Sequence, residues 1–425
     1  DISVFAETST YLADVNEFLD RHLLALRDMQ EDNGKFTDVA PVGGGFGGIL
    51  WGSAGITVAW EAYQQFGDAE LLEDHYQAMA DYMNYLNSVV EPETGFITES
   101  QLDDWLSPER AQTGSQNLWV AYHAYDLWIM SQVAEVLGKD ADANMYLEQY
   151  NERKAFFNAT FVDDETKKTL KDDGSIADTQ ASYAVPLALG IFSEENIPFA
   201  AEHLADTVKR ENDDDEGVTR PEYSLMTGFI GTAAISKALS DNGYHDVAYR
   251  LLQQTSYPSW LYSVENGATT IWERLNSYTV EDGFGGNNSM NSFNHYSFGA
   301  VGAWMISHSL GIERDQNNPG FKHFILQPNP DPDKNMTYAK GNYDSMYGTI
   351  DSSWEVKNKK FNYSVTVPAN TTATLYIPTH NENTVKESNQ PTKKVDGVTF
   401  VEYKDGKAVY EVESVSYEFR SILEQ

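Results

Sequence analysis

The chain has no cysteine among its 425 residues, which rules out disulfides and thiolate chemistry while leaving the compartment open. Its nine histidines form no HExxH and no other tight ligand spacing, so no zinc site is expected, and no other cofactor is implied. Basic residues are scarce: 29 lysines and arginines stand against 65 acids, a net charge of -36. A field of that sign repels phosphate backbones and anionic membranes, which argues against nucleic acid as a partner and makes a polyanionic substrate awkward. A neutral ligand is unaffected. No apolar run approaches the roughly 18 residues that span a bilayer. The first residues do not read as a signal peptide, which says nothing about export because the sequence opens at Asp1, without methionine and already inside a helical pattern. That opening leads us to expect a fragment or a processed product.

What is present reads as two regions. Apolar residues recur at three- and four-residue spacing in "VFAETSTYLADVNEFLDRHLLALRDMQ" and in "LLEDHYQAMADYMNYLNSVV". Further helical segments are predicted near 50–66, 115–137, 141–161, 177–190, 196–211, 224–240, 245–255 and 291–310. This makes about ten helices, joined alternately by short and long loops as in a toroid of antiparallel hairpins. From about residue 321 the pattern changes to short alternating runs, "YGTIDSSWEV", "FNYSVTVP" and "TATLYIP". A Lys-Asp-Gly turn inside "VTFVEYKDGKAVYEV" predicts a hairpin. The expected organisation is therefore mainly α with a β domain, a helical domain over 1–320 and an antiparallel β-sandwich over 321–425. Eight of the nine tryptophans precede the sandwich, which places the chemistry in the helical part.

Three long loops there combine acids with aromatics: "PVGGGFGGILWGSAG" (41–55), "ESQLDDWLSPERAQTG" (99–114), and "YPSWLYSVENGATTIWERLNS" with the following "VEDGFGGNNSMNSFNHYSFG". Aromatic faces against sugar CH groups, with carboxylates fixing hydroxyls, hold a polar uncharged ligand. Each residue also has a plainer reading. Trp51 and Trp105 could plug the toroid; Asp103 and Asp104 could cap a helix beginning at Leu106 or Pro108; His295 could be a satisfied core histidine. The run "ENDDDEG" reads as a solvated loop. Glu273 could pair with Arg274, but adjacent side chains seldom face each other. In combination these groups suit inverting glycoside hydrolysis, in which a carboxylate base activates water and a second acid protonates the leaving oxygen, the two about 6.5–9.5 Å apart. Trp272 and Trp260 beside Glu273 would supply partly apolar surroundings.

The motifs "WGSAG", "DDWLSP", "TQASYAVPLALG", "LMTGFIGTAAI", "NGYHDVAYRLL", "GATTIWER" and "MNSFNHYSFGAVGAWM", with "YGTIDSSW" near the C-terminus, resemble the α-L-rhamnosidases of glycoside hydrolase family 78 along essentially the whole chain. The resemblance implies an (α/α)6 barrel followed by a β-sandwich, and inverting, metal-free hydrolysis of terminal α-L-rhamnosides. It assigns Glu273 as general base. Asp1, Trp51, Asp104, Trp105, Trp272 and His295 fall to the sugar. The chain departs from the family pattern at Ser53, where a carboxylate is usual, at Asp103 in place of glycine, and at Ala303 in place of glutamate. The family's general-acid loop, and the helix before it, would lie upstream of Asp1, so the barrel is expected to lack its first helix. Another toroidal glycosidase or a phosphorylase, and a non-catalytic carbohydrate-binding chain, are the competing readings.

Overall fold

The computed structural model describes residues 1–284 and 290–423; the "GGNNS" stretch of the last long loop lies outside the described residues. The chain divides into two compact units. One comprises residues 1–7, 15–60 and 69–301, the other residues 8–14, 61–68 and 302–425.

The first unit is built from helical hairpins. In each, one helix is covered on most sides and its partner on one. Gln116–Val136 is buried around most of its circumference, from Gln116 and Asn117 to Ala134, as an all-round apolar helix must be. The following helix, Asp140–Phe161, buries only Tyr146, Arg153, Phe157 and Phe161. The same alternation relates Phe229–Asp241, buried along nearly its whole length, to His245–Gln253, which buries Val247, Ala248, Tyr249 and Leu251. Ten helices of nine or more residues lie among the described residues, none long and apolar enough to cross a membrane. The predicted 50–66 helix breaks at Ser53 into Ile49–Gly52 and Ala54–Phe66. The predicted 291–310 helix is a 3-10 turn over Ser297–Ala300, one α turn, and a π stretch over Met305–Leu310.

The second unit is a two-sheet sandwich. One sheet has six strands in the order Gln390–Pro391, Lys386–Glu387, Ser416–Ile422, Lys360–Thr366, Gly348–Lys357, Tyr338–Ser345. The other has five, in the order Val398–Lys404, Lys407–Glu413, Thr372–Pro378, His323–Leu326, Ile312–Arg314. Alternate residues such as Phe361, Tyr363 and Val365 turn inward and join Ile350, Trp354, Leu375 and Phe419 in one core. The Asp405–Gly406 turn holds both residues at positive φ and pairs Lys404 with Lys407, the geometry of a tight hairpin.

Two features differ from the sequence reading. The sandwich is antiparallel except that His323–Leu326 runs parallel to Thr372–Pro378. The second unit also does not begin at 321: its strand Ile312–Arg314 comes earlier, and it recruits two helix ends from far upstream. Tyr11 is buried in the sandwich core against Tyr343, ring centroids 5.8 Å apart. Glu61 pairs with Arg314, and the Gln64 carbonyl accepts the Gly320 N–H at 3.2 Å.

Candidate active site

The loop carrying Trp51 is stitched to the loop carrying Trp105. The Leu102 N–H donates to the Gly47 carbonyl at 2.8 Å, the Ile49 N–H donates to the Ser100 hydroxyl at 3.2 Å, and Asp38 accepts the Gly47 N–H. Trp119, on the covered helix 116–136, donates its indole N–H to the Leu102 carbonyl at 2.8 Å. Both Trp51 and Trp105 are half-buried.

Asp104 is fixed still more firmly. Its two oxygens accept the N–H groups of Gly228 at 2.7 Å and Gly231 at 2.9 Å, at the N-terminus of Phe229–Asp241. The Phe229 N–H donates to the Trp105 carbonyl at 2.9 Å. Position 228 must be glycine for this approach, because a Cβ there would lie 2.1 Å from that carbonyl oxygen. Burial pushes the Asp104 carboxyl up to about 7, against the opposing pull of its N–H donors. Two expectations are thereby corrected. Asp104 caps a helix more than a hundred residues away, not one starting at Leu106 or Pro108. With 1% exposure and both oxygens engaged, it also has no free face for a sugar. Its role is to anchor the Trp105 loop.

Phe229 is the hub that the sequence reading missed. Its ring meets Trp51 edge-on at 6.4 Å, His295 at 5.0 Å and Phe298 at 5.1 Å. The His295 Nε2 lies 3.3 Å from an Asp1 carboxylate oxygen. The Glu273 segment pairs with the His295 segment through their backbones: the Glu273 N–H donates to the Ser292 carbonyl at 2.8 Å and the His295 N–H to the Ile271 carbonyl at 3.0 Å. The Ser292 N–H then donates to Oε2 of Glu273 at 2.8 Å, while Oε1 accepts from no described residue. Glu273 is 8% exposed, so it is no surface ion pair, and Arg274 turns to donate to the Met290 carbonyl instead. Burial lowers the His295 pKa, and the neighbouring Glu273 charge opposes that shift. The structure thus brings Asp1, Trp51, Glu273 and His295 into one network around Phe229, with Trp105 attached through its carbonyl.

Trp272 and Trp260 serve this network as packing. Trp272 is 6% exposed and stands edge-on against Phe293 at 5.3 Å, so the expected contact of Trp272 with the sugar gives way to bracing of the Glu273 segment. Trp260 donates its indole N–H to the Phe298 carbonyl at 2.8 Å.

The three departures noted in the sequence have physical sequels. Ser53 is fully buried and donates to the Asp126 carboxylate, so an acid from helix 116–136 occupies the place next to Ser53; burial pushes Asp126 well above the carboxylate range. Asp103 pairs with Arg110, whose guanidinium lies 5.3 Å over the Trp105 ring and covers one face of it. Ala303 is buried in the second unit, its N–H donating to the Thr8 hydroxyl at 3.1 Å. Among the described residues, no group of three or more His, Asp or Glu is placed to share a metal ion.

The first unit is thus a set of helical hairpins with covered and half-covered members, carrying a buried carboxylate beside aromatic rings where its long loops converge. The chain belongs to the bacterial α-L-rhamnosidase family: residues 1–308 match its six-hairpin glycosidase domain and residues 311–392 its C-terminal domain. It is 34% identical to an α-L-rhamnosidase of Streptomyces avermitilis over 99% of this chain and 38% of that protein. It is 33% identical to one of Formosa agariphila over 99% of this chain and 44% of that protein. The solved Streptomyces avermitilis α-L-rhamnosidase complexed with L-rhamnose superposes with a TM-score of 0.87 at 32% identity, covering 99% of this chain and 38% of that one. The fold is accordingly the (α/α)6 barrel with β-sandwich of that family, and the chain spans less than half the length of these relatives.

Proposed function

We propose that this chain carries the catalytic base and sugar pocket of an inverting α-L-rhamnosidase. The observation that supports this most directly is Glu273: a buried carboxylate with Oε2 held by the Ser292 N–H and Oε1 left to take a proton. In the reaction, a water between Glu273 and the anomeric carbon gives its proton to Oε1 and attacks from the face opposite the leaving group. A second carboxyl protonates the departing glycosidic oxygen. The separation of about 6.5–9.5 Å that leaves room for that water sets the stereochemistry. Asp1 and His295 hold each other at 3.3 Å and present a carboxylate and an imidazole to sugar hydroxyls; the half-buried Trp51 and Trp105 offer rings to its apolar face. The L-rhamnose bound to the Streptomyces avermitilis relative supports the choice of sugar.

We take the acid partner from outside the chain, which spans less than half the length of the relatives it matches, so the test uses the full-length protein. Glu273→Gln, assayed on an aryl α-L-rhamnoside, is expected to lose about 10² to 10⁴ in kcat with little change in KM. Proton NMR of early product from the unaltered enzyme should show the inverted anomer. Unchanged turnover in the variant would remove the base assignment.

A further inference from the structure

Arg153 stands on the half-covered helix Asp140–Phe161, yet its side chain is turned inward and only 8% exposed. A buried guanidinium is tolerable only when its N–H donors and its charge are both met. Here Nη1 donates to the Gly95 carbonyl at 2.6 Å, and the Phe156 ring lies 4.9 Å from the guanidinium carbon. Nε and Nη2 are buried and meet no acceptor among the described residues. Burial alone, with no carboxylate opposing it, pulls the Arg153 pKa down to about 10. Nε–H and Nη2–H run parallel along one edge of the guanidinium, the fork that grips an anion with two bonds. The covered helix Gln116–Val136 adds His123, 3% exposed, whose Nδ1 is likewise buried without a partner. Its Nε2 meets the Asn87 side-chain amide at 3.0 Å, and that amide meets Gln149 at 3.3 Å. The two amides can run in either direction. Running from Gln149 through Asn87 to Nε2, the bonds leave the His123 proton on Nδ1 as a further donor. Burial, and then the Arg153 charge, lower the His123 pKa to about 3, so the ring is neutral and the guanidinium carries the charge of the cluster. Asn87 is exposed, which puts the cluster within a side chain's length of solvent.

We propose that Arg153 holds a small monovalent anion, chloride or another halide, on its Nε and Nη2 edge, with the Nδ1–H of His123 as an added donor. A water could accept these N–H groups but would leave the charge uncompensated, whereas a halide ion answers both demands. The net charge of -36 disfavours a large or multiply charged anion at the same place. The cluster draws on the helices Ala69–Ser88, Gln116–Val136 and Asp140–Phe161. Through Gly95 it also holds the turn that runs into the Trp105 loop, so the ion ties four segments together. It shares no residue with the network around Glu273 and acts on stability whatever the sugar.

The test is halide-specific stabilisation of the full-length protein. Its melting temperature is followed in sodium chloride, sodium bromide and sodium gluconate at equal ionic strength, up to about 0.2 M. In chloride and in bromide the unaltered protein should gain about 2 °C more than in gluconate. Arg153→Met fills the space with an uncharged side chain and should abolish the halide-specific part of the gain. Arg153→Lys should keep a smaller part, because a point charge replaces the fork. No halide-specific gain in the unaltered protein, or one that persists in Arg153→Met, overturns the site. Crystals of the unaltered protein grown in bromide decide the matter even if the variants do not fold. An anomalous peak in contact with Nε and Nη2 supports the ion, and an ordinary water there with no anomalous signal overturns it.

Discussion

Replacing Asp104 by asparagine tests whether desolvation or hydrogen bonding governs a deeply buried carboxyl near the site. The carboxyl accepts two backbone N–H groups, which favour its charged form, yet burial is the larger effect and raises it from 3.8 to about 7. Because the folded state holds this proton more tightly than the unfolded chain, the group adds stability below the unfolded value and loses it as pH rises from about 4 through 7. At 1.36 kcal/mol per pH unit, a rise from 3.8 to about 7 corresponds to about 4 kcal/mol. An asparagine side chain cannot titrate. In Asp104→Asn the amide oxygen can accept one N–H, while the NH2 group faces the other donor; a protonated carboxyl meets the same difficulty. The variant should therefore resemble the parent at pH 3 to 4 and become the more stable of the two, by up to about 4 kcal/mol, at pH 8. Paired urea denaturations at half-unit pH steps measure this directly, the midpoint difference reporting ΔΔG if the slopes agree. A difference that stays flat with pH, or one that moves in the parent's favour as pH rises, would show that the Gly228 and Gly231 donors match or outweigh burial, and the reasoning would be wrong.

Two further outcomes follow from the packing. Ser53→Ala deletes the donor to the buried Asp126 carboxyl and should cost about 1–3 kcal/mol in chemical denaturation, whereas an exposed serine-to-alanine change such as Ser256→Ala should be near neutral. Phe229→Ala removes the ring shared by Trp51, His295 and Phe298; it should destabilise the protein by about 3–5 kcal/mol and raise KM for an aryl rhamnoside, while Phe229→Leu should recover much of the stability and less of the KM.

Local pattern determined much of this protein. The three- and four-residue apolar spacing marks the helices of 16–29, 69–88 and 116–136. The alternation after 338 marks strands, and Lys-Asp-Gly marks a hairpin, because each depends on neighbours a few residues away. The string "TIWER" singles out a glutamate that directly follows two apolar residues for the same reason. Tertiary structure decided what lies far apart in the chain. Asp104 looks like a local cap but closes a helix that starts at Phe229; Tyr11 and Glu61 look like ordinary helical residues but belong with the sandwich; the parallel pairing of His323–Leu326 has no sequence signature. Phe229 carries no signal beyond being one phenylalanine among twenty, and that Arg274 donates to the Met290 carbonyl shows only in the folded chain. Periodicity is a property of one segment, whereas a cap, a shared ring or an unpaired charge is a property of two segments meeting, and that meeting exists only in the folded chain.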